Sequence, residues 1–143
     1  MADTNFIKTE IEPVIRALLE ERYGQPFKQE SLPVGIKPDG TPRMHEFDAV
    51  SRDGTIVAGI KSSTGKTSGG RRPAAKIAEA YKEIYFLCLV HTGHKLLVLT
   101  DPDFYEILVP EFAGLLPPLS AIIHLALPPD LQEKMDELKG RTD

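Results

Sequence analysis

Residues 45–61, HEFDAVSRDGTIVAGIK, predict a β-hairpin. The dipeptide Asp53-Gly54 is typical of a two-residue hairpin turn, and a turn at this point places Asp48 opposite Gly59 on the neighbouring strand. Because side chains alternate between the two faces of a strand, one face of the hairpin is expected to be polar and the other apolar. The polar face would hold Glu46, Asp48 and Lys61. The apolar face would point into a core with Phe47, Ala49, Ile56, Ala58 and Ile60.

The segments around the hairpin predict an α/β domain. The spacing of apolar residues and the turn signals indicate an alternation of helices and strands on both sides of it. The expected elements are a helix near 9–23, a strand within 26–36, the two hairpin strands, a helix from about 77 to 88, a strand at 95–100, a helix at 102–112, a strand at 120–127 and a helix at 130–139. Three successive strands followed by crossovers through helices predict a central mixed β-sheet flanked by helices. The run IYFLCLV at 84–90 is the ambiguous segment, because a short apolar run also fits a strand.

Length and composition narrow the class of protein. The 143 residues suit one domain with a single core, and the net charge of −4 excludes a strongly basic nucleic-acid binder, so any contact with DNA must come from a local patch. A single cysteine excludes an internal disulfide and fits a reducing compartment. No apolar run approaches the ~20 residues that span a membrane, and the segment MADTNFIKTE lacks a signal-peptide pattern. We therefore expect a cytoplasmic protein.

The hairpin and the order of elements together resemble the PD-(D/E)xK nuclease superfamily, the restriction-endonuclease-like fold. Its signature is an Asp near the end of one strand and Glu/Asp-x-Lys on the next. Asp48 takes the first position and Gly59-Ile60-Lys61 the second, with Gly59 where the second carboxylate should be. The likeness in strand order covers about residues 9–126. It implies a single restriction-endonuclease-like domain over 1–143 and metal-dependent phosphodiester hydrolysis of DNA, and a homodimer would allow both strands to be cut.

The resemblance also implies roles for individual residues. Asp48 would bind Mg²⁺ or Mn²⁺, which are hard cations that prefer oxygen ligands, and the backbone carbonyl of Ile60 would be a further ligand. Lys61 would orient or activate the water that attacks the phosphate. One carboxylate and one carbonyl make a poor metal site. A second acid must therefore come from elsewhere in the chain, or the domain is catalytically inactive.

Three parts of the chain could supply the second carboxylate. Glu79 and Glu83 lie one turn apart on the helix after the loop, where some members of the superfamily carry the displaced acid and leave a small residue in the strand. Glu12 lies on the opening helix, which donates an acid in other members, and Glu46 lies about 7 Å from Asp48 along the same strand. Glu79 is the preferred source and Glu12 the second. If none of them reaches Asp48, the chain would be an inactive nuclease-like module that binds nucleic acid or protein.

The loop after the second hairpin strand has charge of one sign. Between Ile60 and Ala78 the sequence contains five basic residues and no acid. Besides Lys61, they are Lys66, Arg71, Arg72 and Lys76. Basic side chains and free backbone N–H groups make most contacts with a nucleic-acid backbone, so these four residues are candidates for binding phosphates. The alternative is a loop that only keeps the protein soluble.

The same loop permits a rival interpretation as a nucleotide-binding site. Gly59–Thr67 resembles a Walker A loop, and Lys95–Asp101 resembles a Walker B strand. Five residues rather than the usual four separate Gly59 from Gly65. The sequence Ser68-Gly69-Gly70 then follows where the phosphate-binding helix should begin. P-loop-like nucleotide binding is therefore the weaker hypothesis.

A second metal motif is suggested by Cys88, His91 and His94, which follow a C-x-x-H-x-x-H spacing. These residue types can bind zinc, but no fourth ligand is evident nearby in the sequence. We expect these side chains to be incidental to function.

Overall fold

The computed structural model describes residues 4–65, 70–91 and 93–142. The helices are α1 (Thr4–Phe6), which continues through a π-helical segment (Ile7–Ile11) into α2 (Glu12–Tyr23), then α3 (Ala74–Cys88), α4 (Pro102–Phe112) and α5 (Pro129–Thr142). The strands are β1 (Phe27–Ile36), β2 (Pro42–Ser51), β3 (Ile56–Lys61), β4 (His94–Leu99) and β5 (Ser120–His124). The ambiguous run at 84–90 is helical up to Cys88. No helix of the described residues is long and apolar enough to cross a membrane.

The five strands form one mixed sheet in the order β1-β2-β3-β4-β5. The first three are antiparallel and joined by short connections, whereas β3, β4 and β5 are parallel. Parallel neighbours need a crossover, and α3 and α4 provide the two crossovers. The predicted α/β architecture, a central mixed sheet flanked by helices, is confirmed.

Two apolar layers cover the two faces of the sheet. One layer packs α3 and α4 against the sheet, and the other packs α2 and α5 against the opposite face. Strand β4 contributes alternately to both, with Leu97 and Leu99 in the first layer and Leu96 and Val98 in the second. It is buried on both faces, as its continuous apolar sequence predicted.

The register of the predicted hairpin is confirmed, but its turn is longer than expected. Ala49 pairs with Ala58 and Val50 with Val57, as the predicted register requires. The predicted partners Asp48 and Gly59 lie just beyond these two pairs. The strands end at Ser51 and begin again at Ile56, which leaves a four-residue connection instead of two. The side chain of Ser51 explains the difference, because its hydroxyl accepts the Ile56 N–H in place of a backbone carbonyl.

A β-bulge in β2 changes which face its first half presents. Opposite β1, the pairs Lys28–Val50 and Glu30–Phe47 enclose one residue on β1 and two on β2, which are Asp48 and Ala49. Phe47 consequently joins the layer under α3 and α4, while Ala49 belongs to the layer under α2. The predicted common face for Phe47 and Ala49 is therefore wrong.

Candidate functional site

Next to the Ala49–Ala58 pair there is a gap between β2 and β3. In this gap the carboxylate of Asp48 accepts a backbone N–H of β3, in place of a backbone carbonyl of β2. Its Oδ2 accepts the backbone N–H of Ile60 at 2.7 Å. The N–H and C=O of one residue leave a strand on the same side, so the Ile60 carbonyl also faces this gap between β2 and β3. The predicted site strand thus presents Asp48 and the Ile60 backbone to one another.

The side chain of Glu83, on α3, covers Gly59. A Cβ built on Gly59 would lie 2.3 Å from Oε1 of Glu83 and 2.6 Å from its Cγ, well inside van der Waals contact. The Glu83 residue is only 7 % exposed. Its carboxyl group therefore lies over the strand position at which the resemblance places the second acid, and only glycine leaves room for it.

Glu79, the preferred source of the second acid, is exposed to solvent one turn earlier on α3. The buried face of this helix instead holds Ala80, Glu83, Ile84 and Leu87. Helical periodicity predicted both glutamates as candidates but not the rotation of the helix that buries one of them. Glu46, another candidate for the second acid, is exposed as well, and its carboxylate accepts a hydrogen bond from the side chain of Gln29 at 2.7 Å.

Glu12 approaches the same gap from α2, on the other face of the sheet. It is 7 % exposed, and its Oε1 lies 3.8 Å from a guanidinium nitrogen of Arg16. That nitrogen also donates to the backbone carbonyl of Asp48 at 2.9 Å. Arg16 thereby holds the bulged backbone of β2 and brings the second-choice acid, Glu12, into the electrostatic neighbourhood of Asp48.

Three carboxyl groups in this region have raised pKa values. Burial raises the pKa of Glu12, and the negative charge of Asp48 raises it further. Burial also raises the pKa of Asp48, against the opposing effects of the Ile60 N–H and the Lys61 ammonium. For Glu83 burial again dominates; Lys61 lowers its pKa and Asp48 raises it. Lys61 is thus near both Asp48 and Glu83, but its single charge does not offset the burial of the acids.

His45 is a site residue that the sequence analysis missed. Its Nε2 lies 3.5 Å from Oε2 of Glu83, and its ring is stacked on Phe86 and meets the ring of Phe47 edge-on. In a regular strand His45 and Asp48 would point to opposite faces. Only the bulge brings both to the Glu83 side chain, and the sequence contains no clear signal for that bulge.

The basic residues of the loop are partly engaged within the protein. Arg72 forms an ion pair with Glu111 of α4, and Lys76 donates to the backbone carbonyl of Thr64 at 3.1 Å. Arg71 is exposed, and Lys66 lies outside the described residues. Contact with a phosphate by Arg72 or Lys76 would therefore compete with an internal interaction.

The arrangement around Gly65 differs from a nucleotide-binding loop. Oδ2 of Asp101 accepts the N–H of Gly65 at 2.9 Å and the N–H of Phe104 at 2.8 Å. The carboxylate of the Walker B-like segment thus accepts a loop N–H that a nucleotide-binding loop would donate to a phosphate. The next helix, α3, begins only at Ala74. The helix N-terminus that packs on Gly65 is that of α4, and its capping carboxylate already bonds the Gly65 amide. The rival hypothesis needs instead the N-terminus of the helix that directly follows the loop.

The zinc-like motif is not assembled. Cys88, His91 and His94 are all exposed. Within residues 4–65, 70–91 and 93–142, no three His, Cys, Asp or Glu side chains are placed so that they could hold one metal ion together. A cation at the Asp48 gap would therefore draw on at most two carboxylates, together with backbone, water or substrate oxygens.

Comparison of the chain with family models, with curated proteins and with solved structures returned no match.

Proposed function

We propose that this protein is a metal-dependent nuclease that hydrolyses phosphodiester bonds of DNA at the gap between β2 and β3. The observation that supports this most is the position of Glu83. It supplies from α3 the carboxyl group that Gly59 cannot supply from the strand. The order of helix, three strands, helix and strand around it is the order that the PD-(D/E)xK resemblance implies.

The donor atoms fit Mg²⁺ or Mn²⁺. Asp48 and Glu83 offer carboxylate oxygens, and the Ile60 carbonyl faces the same gap. Mg²⁺ is commonly held by one or two carboxylates and completed by water and phosphate oxygens, so a two-carboxylate site is sufficient. Burial raises the pKa values of Asp48 and Glu83 more than Lys61 lowers them, so compensation of their negative charges by Lys61 is incomplete. A divalent cation would provide that compensation.

Each residue has a definable task in this proposal. A bound cation would polarise the phosphoryl group and stabilise its developing charge. The Ile60 N–H fixes the orientation of the Asp48 carboxylate. Lys61 would hold the attacking water by a hydrogen bond and place positive charge beside the scissile phosphate. Glu12 would add negative charge on the α2 side of the gap, where it can accept a proton or bind a second water.

Mn²⁺ binding and DNA cleavage by matched variants test this proposal. Wild type should bind Mn²⁺ and cleave DNA, and Asp48→Ala and Glu83→Gln should lose both properties. Glu79→Gln is the matched control, because it removes an exposed acid one turn away on the same helix. If Glu79→Gln and Glu83→Gln have the same effect, the site is placed wrongly. Single-stranded DNA, duplex DNA and RNA should be compared as substrates, and size-exclusion chromatography during cleavage would show whether a homodimer forms.

A second candidate function is a nuclease-like module without catalysis that binds nucleic acid or protein. The internal contacts of Arg72 and Lys76 and the net charge of −4 favour it, because they reduce the positive charge available to a DNA backbone. Wild type that binds no Mn²⁺ and cleaves none of the three substrates would support this module. Either function is proposed for the cytoplasm, since one cysteine forms no internal disulfide.

A further inference from the structure

The two oxygens of the Glu83 carboxylate face different neighbours. Oε2 lies 3.5 Å from Nε2 of His45, at the outer limit of hydrogen-bond range. Oε1 is the Glu83 atom nearest to the Cβ position of Gly59, on the strand whose next residue, Ile60, is bonded to Asp48. One oxygen is therefore directed to an imidazole and the other toward the gap.

The imidazole of His45 is itself held in orientation by aromatic packing. Its ring is parallel to that of Phe86, with an interplanar angle of 3° and centroids 3.9 Å apart. On another side the ring of Phe47 meets it at 74° and 4.7 Å. Packing of this kind limits tilting of the ring plane, and in this plane Nε2 is the nitrogen on the side of Glu83.

We propose that His45 is a positioning residue for the cation site, which donates Nε2–H to Oε2 of Glu83 and so leaves Oε1 to bind the cation over Gly59. This inference rests on the proposed function. Metal-binding side chains are commonly oriented by a hydrogen bond from a neighbour that does not touch the metal, and loss of that neighbour typically lowers metal affinity about 10- to 100-fold. His45 lies beside Glu83 in the position of such a neighbour.

If His45 has only a packing role, the expected effect of replacing it is different. If the ring only fills space between Phe47 and Phe86, then phenylalanine at position 45 should replace it fully. If the ring orients Glu83, phenylalanine should preserve the packing and lose the donor. His45→Phe therefore separates the two roles, and His45→Gln restores a side-chain N–H without the ring.

Mn²⁺ titration followed by electron paramagnetic resonance of the free ion provides the main test. His45→Phe should bind Mn²⁺ about 10- to 100-fold more weakly than wild type, and His45→Gln should recover part of that loss. His91→Phe, which changes an exposed histidine, is the matched control and should bind as wild type does. Urea denaturation checks that His45→Phe remains folded.

A second measurement needs no metal and no variant. Long-range ¹H–¹⁵N spectra of the wild-type protein should show His45 with its proton on Nε2, because only that tautomer can donate to Glu83. Equal Mn²⁺ affinity of His45→Phe and wild type, or a proton on Nδ1 alone, would overturn the role of His45 and leave the nuclease proposal standing. Wild type that binds Mn²⁺ no better than Asp48→Ala would overturn the proposed function and this inference with it.

Discussion

Replacing Gly59 by alanine should change the stability of this protein in a direction that depends on Glu83. The new Cβ would lie 2.3 Å from Oε1, 2.6 Å from Cγ and 2.8 Å from Cδ of that glutamate. The overlap extends beyond the tip of the side chain, so the carboxyl group must leave its place. Overpacking of a buried site typically costs about 1–3 kcal/mol.

The backbone at Gly59 tolerates alanine, which gives the opposing contribution. Gly59 is not among the described glycines with positive φ. At such a position a change from glycine to alanine typically stabilises by about 0.4–1 kcal/mol, because it restricts the unfolded chain. We therefore expect Gly59→Ala to lower the free energy of unfolding by about 1–2 kcal/mol in wild type, as the difference of these two contributions.

The same change in a Glu83→Ala background should be stabilising, because the overlap no longer exists. A double-mutant cycle measured by urea denaturation should then give a coupling free energy of about 1–3 kcal/mol between the two positions. Gly35→Ala is the control: its Cβ would meet only the Cβ of Arg43 at 3.9 Å, an ordinary contact. A coupling below about 0.5 kcal/mol would refute the placement of Glu83 over Gly59.

Three further predictions concern charged side chains at the gap, at the start of α4 and in the loop. The pKa of Glu83 is raised above its usual value of 4.5, so at higher pH the folded state binds more protons at this carboxyl group than the unfolded state does. Ionisation of Glu83 therefore destabilises the fold as the pH rises. Glu83→Gln should therefore raise the thermal midpoint more at pH 7.5 than at pH 4.5, and an equal effect at both would contradict this. Asp101→Ala should lower the free energy of unfolding by about 1–2 kcal/mol in urea, since it removes the α4 cap and the acceptor for Gly65, whereas Asp101→Asn should keep most of it. Replacing Arg71 and Arg72 by alanine should weaken DNA binding for all sequences alike and lower the salt dependence by about one unit of slope per lost contact. Unchanged affinity and slope would show that the loop does not hold nucleic acid.

Local sequence patterns were sufficient for much of the fold. The Asp53-Gly54 dipeptide predicted the register that the pairs Ala49–Ala58 and Val50–Val57 adopt. The helix predicted at 102–112 begins at Pro102, where Asp101 accepts the N–H of Phe104. These features depend on residues close together in the chain, so a short stretch of sequence is enough to predict them.

Sequence reduced the candidates for the second carboxylate to a few glutamates but did not determine which of them supplies it. Under the resemblance, Gly59 indicated a missing carboxylate, and Glu79 and Glu83 are the two acidic residues of α3. The choice between them depends on how α3 rotates against the sheet, and that rotation is set by the packing of its whole apolar face against β3, β4 and α4. Such packing sums many contacts between distant parts of the chain, which no local window contains.

Sequence by itself determined the order of the elements and the register of the central hairpin pairs, and it singled out Asp48, whose carboxylate accepts the Ile60 N–H. Tertiary structure alone decided that Glu83 covers Gly59, that a bulge turns Phe47 and His45 toward α3, and that Arg16 holds the bulged backbone. Periodicity assumes an uninterrupted strand, and one extra residue reverses the face of every position beyond it. The contacts that favour this extra residue come from helices distant in sequence, so they exist only after the chain has folded.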